Sequence, residues 1–222
     1  MKLKPSVMAV ALAAGLAMPA QADFLGAKVG MDLFFVATDG SLSSDTQNWN
    51  DKSRLSAYAA FEHFIPLVPN LMIRYNQMGT TAAGNELDLS NTDFVFYYQL
   101  LDNTGVELDL GMNYRLYSGE ARETGDWAST DLDKGVLMGY ARSRVNLVGT
   151  GLFAFADVSL TNYNRKQISD FQLGMGYSMG LIALDLNLKA GYRQHDFDVR
   201  RFNGVNVDVV QDGWFMGAEL NF

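Results

Sequence analysis

Charged side chains recur between apolar neighbours along much of this chain, and that spacing decides what chemistry they can do. The set comprises Lys28, Asp32, Glu62, Arg74, Glu107, Asp109, Arg115, Arg142, Arg144, Asp157, Asp185, Lys189, Arg193 and Glu219. A strand sends alternate side chains to opposite faces, so these residues would gather on one polar face. Facing a shared interior, they would either line a pore that selects ions and small polar solutes or pair into a network that fills it. His195, followed by Asp196 and Asp198, is the place to look for a general base. His63 lies near the opposite end of its strand and cannot share a site with His195.

Two further groups belong to loops. Asp39, Asp45 and Asp51, then Glu120, Glu123, Asp126, Asp131 and Asp133, could bind calcium or bridge phosphates through divalent cations. The twelve-residue calcium-loop pattern is absent, so solvated loops are the expectation, with no metal and no cofactor. Trp49 and Trp127 would either contact a partner or fold back over the polar interior.

Composition bounds what elements can carry these residues. Cysteine is absent, which excludes disulfides and cysteine metal sites. The formal charge is -8, which argues against a nucleic-acid partner. Lys2 and Lys4, the apolar run Val7 to Ala17 and the small residues Ala20 and Ala22 read as a secretory leader. Residues 1–22 are expected to be removed, leaving one domain over 23–222. That loses two lysines and no acid, taking -8 to -10. Elsewhere no apolar run reaches the ~20 residues of a membrane-spanning helix.

Period-two alternation fills most of the mature chain. Val106 to Tyr117 is the clearest case, with Val106, Leu108, Leu110, Met112, Tyr114 and Leu116 on one side and Glu107, Asp109, Gly111, Asn113 and Arg115 on the other. Similar strands are expected over 24–37, 55–65, 71–80, up to about 101, 137–147, 152–161, 171–179, 184–193 and 206–222, with a bulge at Asn91. The count is about ten, with eight as the alternative, and an even number suits a barrel. Connections alternate between short (66–70, 102–105, 148–151, near 180) and mostly longer (38–52, 79–85, 118–131, 162–166, 199–205).

A soluble sandwich would show the same alternation, so periodicity does not choose between the two. Strand length does, because most segments reach the 9–11 residues that cross a bilayer. Aromatic residues toward strand ends, at Tyr75, Tyr98, Tyr114, Tyr192 and Trp214, fit an interfacial girdle. The expected fold is an all-β, antiparallel, up-and-down transmembrane barrel with short periplasmic turns and longer extracellular loops. Ten strands enclose little more than side chains can fill, which favours pairing over an open channel.

Several short motifs resemble known families. Trp214, Met216, Ala218, Leu220 and the terminal Phe222 resemble the closing strand of bacterial outer-membrane barrels, the segment the assembly machinery reads. Asp23-Phe24-Leu25-Gly26, Leu100-Leu101-Asp102-Asn103 and Glu107-Leu108-Asp109-Leu110-Gly111 resemble an uncharacterised proteobacterial family of small outer-membrane barrels. That resemblance implies fold and an outer-membrane location, with membrane lipid and lipopolysaccharide as partners and a monomeric state, and it implies no activity. His195 with Asp196 and Asp198 is similar to the mouth of omptin proteases, ten-stranded barrels that pair Asp-His with two Asp. The Asp-x-His spacing is missing, since Arg193-Gln194-His195 stands in its place, and a histidine in a polar rim is the expectation. The functional expectation is a non-enzymatic outer-membrane barrel with a structural or narrow-pore role; loop-mediated binding and a hydrolase near His195 are the alternatives.

Overall fold

The alternating segments close on themselves. The computed structural model describes residues 25–42, 45–65, 67–82, 84–122, 130–163, 166–182, 184–202 and 205–222. Ten strands form one antiparallel barrel: β1 (Leu25–Leu42), β2 (Lys52–His63), β3 (Asn70–Asn76), β4 (Asn91–Asp102), β5 (Val106–Tyr117), β6 (Lys134–Asn146), β7 (Leu152–Tyr163), β8 (Lys166–Gly180), β9 (Asp185–Phe202) and β10 (Val205–Asn221). Each strand pairs with its neighbour in sequence, and β10 returns to β1 in the register Lys28↔Asn221 to Leu42↔Val207. The Phe222 amide donates to the Ala27 carbonyl at 2.8 Å and so extends the seam to the last residue. Closure leaves these strands without a free edge.

One end carries tight turns. Asn103 Oδ1 accepts the backbone N–H groups of Gly105 and Val106, both at 3.0 Å, a local bond that sets the β4–β5 turn. The β6–β7 turn passes through Gly149 and Gly151 at φ +84° and +75°, the left-handed region that favours glycine.

The other end is more built than the sequence suggests. The stretch expected as a loop over 38–52 continues β1 to Leu42, then folds back as a short strand, Asp45–Asn48. Short strands Gly79–Ala82, Asn85–Asp88, Glu120–Arg122 and Thr130–Asp131 pair into a second small sheet, largely within the stretches 79–85 and 118–131 expected as loops. β9 and β10 run on to Phe202 and from Val205. Asn91 is no bulge: it pairs regularly with Asn76 and Tyr117, and the register slips instead between Gln99 and Leu101, beside the turn. The expected leader, with Ala20 and Ala22, lies outside the described residues, as do Glu123, Asp126 and Trp127.

Two surfaces follow from the alternation. Outward side chains along the barrel's middle and turn end are apolar and exposed, among them Val29, Met31, Phe61, Phe96, Met112, Leu173, Met175 and Met216. Tyr75, Tyr114 and Trp214 border this belt toward the loop end, and Tyr98 and Tyr177 toward the turns.

Toward the loop end the pattern inverts within single strands. On β10 the outward positions change from Trp214, Met216 and Ala218 to Asp212 and Asp208, while the inward positions change from Gly217 and Glu219 to Val209 and Val207. On β9 the outward series passes from Leu188 to Asp196 and Asp198, and the inward series from Lys189 and Arg193 to Phe197 and Val199. These inward residues join Leu42, Trp49, Met78, Leu87, Leu89, Leu132 and Ile168 in one buried apolar cluster.

Candidate functional site

The inward face brings most of the sequence-nominated charges into ion pairs, several of them with Asp93 and Asp170, which were not nominated. Nearest the apolar cluster, Arg115 donates from Nε and Nη2 to the two carboxylate oxygens of Asp93, at 2.6 and 2.8 Å. Its Nη2 also reaches Asp170 Oδ2 at 2.8 Å. Arg193 approaches the same carboxylate from the other side, through Nε at 2.9 Å and Nη2 at 2.7 Å. The rest of its fork donates to Ser56 Oγ and Asn76 Oδ1, both at 3.0 Å. Bidentate geometry of this kind is the strongest form of the arginine–carboxylate bond. Buried charges are tolerable only when paired and hydrogen-bonded in this way.

Below this cluster, Arg74 Nη2 holds Asp157 Oδ2 at 2.9 Å, and Tyr140 Oη donates to the same oxygen at 3.2 Å. Lys189 Nζ lies 3.0 Å from Asp32 Oδ1 and donates to Tyr58 Oη at 2.9 Å. Tyr58 Oη in turn donates to Glu219, which also receives Asn187 Nδ2 at 3.0 Å and lies 3.5 Å from Arg142 Nη2. Asp109 is buried nearby on the inward side of β5. Next to the turn end, Lys28 Nζ and Tyr97 Oη share Glu62 Oε1, each at 2.7 Å. Arg144, Glu107 and Asp185 stand beyond them, around an open cavity.

Aromatic rings fill the remaining space in a regular way. Tyr58 lies opposite Gly30, Tyr97 opposite Gly111, Phe155 opposite Gly174 and Phe153 opposite Gly176 on neighbouring strands. A Cβ on any of these glycines would overlap the facing residue. Gly30, Gly174 and Gly176 thus make room for a ring, which covers the bare backbone.

Sequence reasoning missed several members. Asp170 was lost because the strand was expected to begin at Phe171; Ile168, Asp170 and Gln172 share one phase, and following it backward would have found them. Tyr58, Tyr97 and Tyr140 sit in the phase of the charges and could have been read as interior by parity alone. Ser56, Asn76 and Asn187 share that phase as well, with Glu62, Arg74 and Lys189 respectively.

The histidines and tryptophans differ from expectation in place. His195 is not in a polar rim. Its side chain is 0% exposed, between Phe197 and Tyr117, with Tyr117 Oη 3.3 Å from Nε2. His63 stays near the turn end, where Nδ1 accepts the Ile65 amide at 3.2 Å. Trp49 folds back into the apolar cluster and donates from Nε1 to the Gly40 carbonyl at 3.3 Å. Among the described residues no group of three or more His, Asp or Glu is placed to hold a metal ion. Outside the barrel, beyond the apolar belt, burial raises the Asp196 carboxyl above its ordinary value, and the neighbouring carboxylates of Asp208 and Asp198 add to the shift.

The assembled geometry is an all-β, closed, ten-stranded antiparallel barrel with an oily middle and a charged interior. No family model and no curated protein matches the chain in sequence. Among solved structures it is similar to the beta domain of the Bordetella autotransporter BrkA, at 12% identity, covering 90% of this chain and 99% of that one, with a TM-score of 0.46. It is also similar to a Pseudomonas aeruginosa FadL homologue, at 12% identity, covering 89% of this chain and 64% of that one, with a TM-score of 0.36.

Proposed function

We propose that the protein is an integral outer-membrane barrel whose interior is filled and does not conduct, and whose loop end stands out of the bilayer as a small water-soluble head. The inversion of amphipathicity along β9 and β10 carries this reading. A soluble barrel keeps its apolar side chains inside along the whole strand. Here the outward positions of these two strands are mainly apolar up to Tyr192 and Trp214 and mainly acidic beyond them, where Phe197, Val199, Val207 and Val209 turn inward. Hydrocarbon outside the lower part and water outside the upper part account for both halves of the pattern. The spanning segments therefore end near Phe35, Leu55, Tyr75, Tyr114, Tyr192 and Trp214, and the short turns face the periplasm.

Filling follows from size and pairing. A ten-stranded wall encloses a narrow interior. Arginines paired with aspartates and with Glu219 occupy it, and the apolar cluster of the head lies above them. A hydrolase centred on His195 would need a substrate to reach a ring that is fully buried. The role that fits is structural, in a monomer held by lipid and lipopolysaccharide and inserted through the alternating strand that ends at Phe222.

Reconstitution tests this reading. Purified mature protein should float with liposomes and show no stable, porin-sized current steps in planar bilayers. A chain that stays monodisperse in detergent-free buffer would remove the membrane part of the proposal. Stable large channels from pure protein would remove the filled lumen.

A further inference from the structure

At the turn end the interior stops being filled and opens into a cup of about 640 Å³. Its wall includes Arg144, Glu107, Asn146, Asp185, Asn187 and the Lys28–Glu62 pair. Nothing in the lumen packing requires this space, and its volume lies in the range of small-molecule sites.

Arg144 differs from Arg74, Arg115 and Arg193, which lie deeper in the barrel. Its guanidinium lies against Phe153, with Cζ 3.8 Å from the ring centroid, so the ring takes one face and holds the group against the wall. Nε donates to Asn146 Oδ1 at 2.7 Å. Its contacts with Glu107 Oε1 and Asn187 Oδ1 are both 3.5 Å. Arg74, Arg115 and Arg193 hold their carboxylates between 2.6 and 2.9 Å. A guanidinium that is stacked in place and has no close carboxylate is preorganised to receive one. The rim beside it has the opposite sign: Asp185 is exposed and Glu107 is half-buried. Lys28 adds no free cation, because it is bound to Glu62 at 2.7 Å.

We propose that the cup binds a small zwitterion, a free amino acid or short peptide, with its carboxylate on Arg144 and its ammonium against Asp185 and Glu107. The acidic rim repels a simple anion, and Arg144 in the wall repels a simple cation. Only a solute that carries both charges satisfies both parts of the wall. The cup faces the periplasm in the orientation proposed above, yet binding itself requires only the folded barrel. A failed titration would therefore leave the flotation and conductance results untouched.

The test is calorimetric titration of the full mature chain, folded in detergent micelles, with triglycine, N-acetyl-triglycine and triglycine amide. Triglycine should bind saturably, and each blocked form should bind about tenfold or more weakly, since each loses one charge-assisted contact. Arg144→Gln should lose about tenfold or more in affinity for triglycine. Asp185→Asn, at an exposed position that does not threaten folding, should weaken triglycine and leave N-acetyl-triglycine unchanged or tighter. The proposal is overturned if triglycine does not saturate, if either blocked peptide equals it, or if Asp185→Asn binds all three as the wild type does.

Discussion

Asp170 is the residue on which the upper charge cluster turns, and Asp170→Asn should be the most costly isosteric change in the barrel. Its carboxylate receives three charge-assisted bonds, one from Arg115 and two from Arg193, at 2.7 to 2.9 Å. It is almost fully buried. With an amide in its place the two arginines fare differently. Arg115 keeps both bonds to Asp93. Arg193 keeps only neutral oxygens, those of Ser56, Asn76 and the new amide, so a buried guanidinium loses the only carboxylate it pairs with among the described residues. Breaking one partner of a buried ion pair costs about 3–5 kcal/mol, mainly through the charge left behind. If that is the origin of the cost, removing the orphan should return part of it. The double variant Asp170→Asn/Arg193→Met should then be more stable than the sum of the single changes by about 2–3 kcal/mol. Asp39→Asn, at an exposed position of the head, serves as the control and should move stability by less than about 0.5 kcal/mol. The measurement is equilibrium urea unfolding of protein folded into lipid vesicles, followed by tryptophan fluorescence. A cost below about 1 kcal/mol for Asp170→Asn, or strictly additive single changes, would refute the assignment of the cluster as a charge-balanced unit.

The remaining expectations address the two outer surfaces. Met175 is 63% exposed in the middle of the outward belt. Met175→Arg should destabilise the vesicle-embedded protein by about 2–4 kcal/mol, the cost of a cation near the bilayer midplane, and a negligible effect in the same unfolding assay would argue that water, not lipid, covers this face. Asp196 is held above its ordinary value in the folded state by burial and by Asp208 and Asp198, so its ionisation opposes folding. Its contribution to stability is favourable at low pH and declines as pH rises from about 3.9, the unfolded value, through the raised folded value. Asp196→Asn should therefore stabilise the head at neutral pH and lose that advantage in acid; an advantage that grows on acidification would show the sign to be wrong.

How much of this was legible beforehand depends on the range of the interaction involved. The closing strand could be read from Trp214, Met216, Ala218, Leu220 and Phe222 because alternation is a property of consecutive residues. For the same reason the inward phase of Lys28, Asp32, Glu62 and Glu219 was available without coordinates. The inversion beyond Trp214 was also present in the sequence, in Asp208 and Asp212 against Val207 and Val209. The strand expected over 206–222 contains it, but a single outward environment assumed for the whole strand hides the change of face. Trp49 offered no phase at all, lying in a segment with no regular alternation.

The sequence by itself determined where most of the barrel strands run and the side to which their residues point, since these depend only on local backbone geometry; it left their number at about ten or eight, and closure of the sheet decided ten. Which charge meets which was decided by closure and register. Tyr58 reaches Glu219, Lys189 reaches Asp32, and Arg193 reaches Asn76, although in each case more than a hundred residues of chain separate the partners. Depth within a barrel is fixed by how strands are staggered around the ring, and that stagger is a global condition for the sheet to close. No local pattern encodes it, so the pairing of the interior, the cluster around Asp170 and the open cup beside Arg144 exist only in the folded molecule.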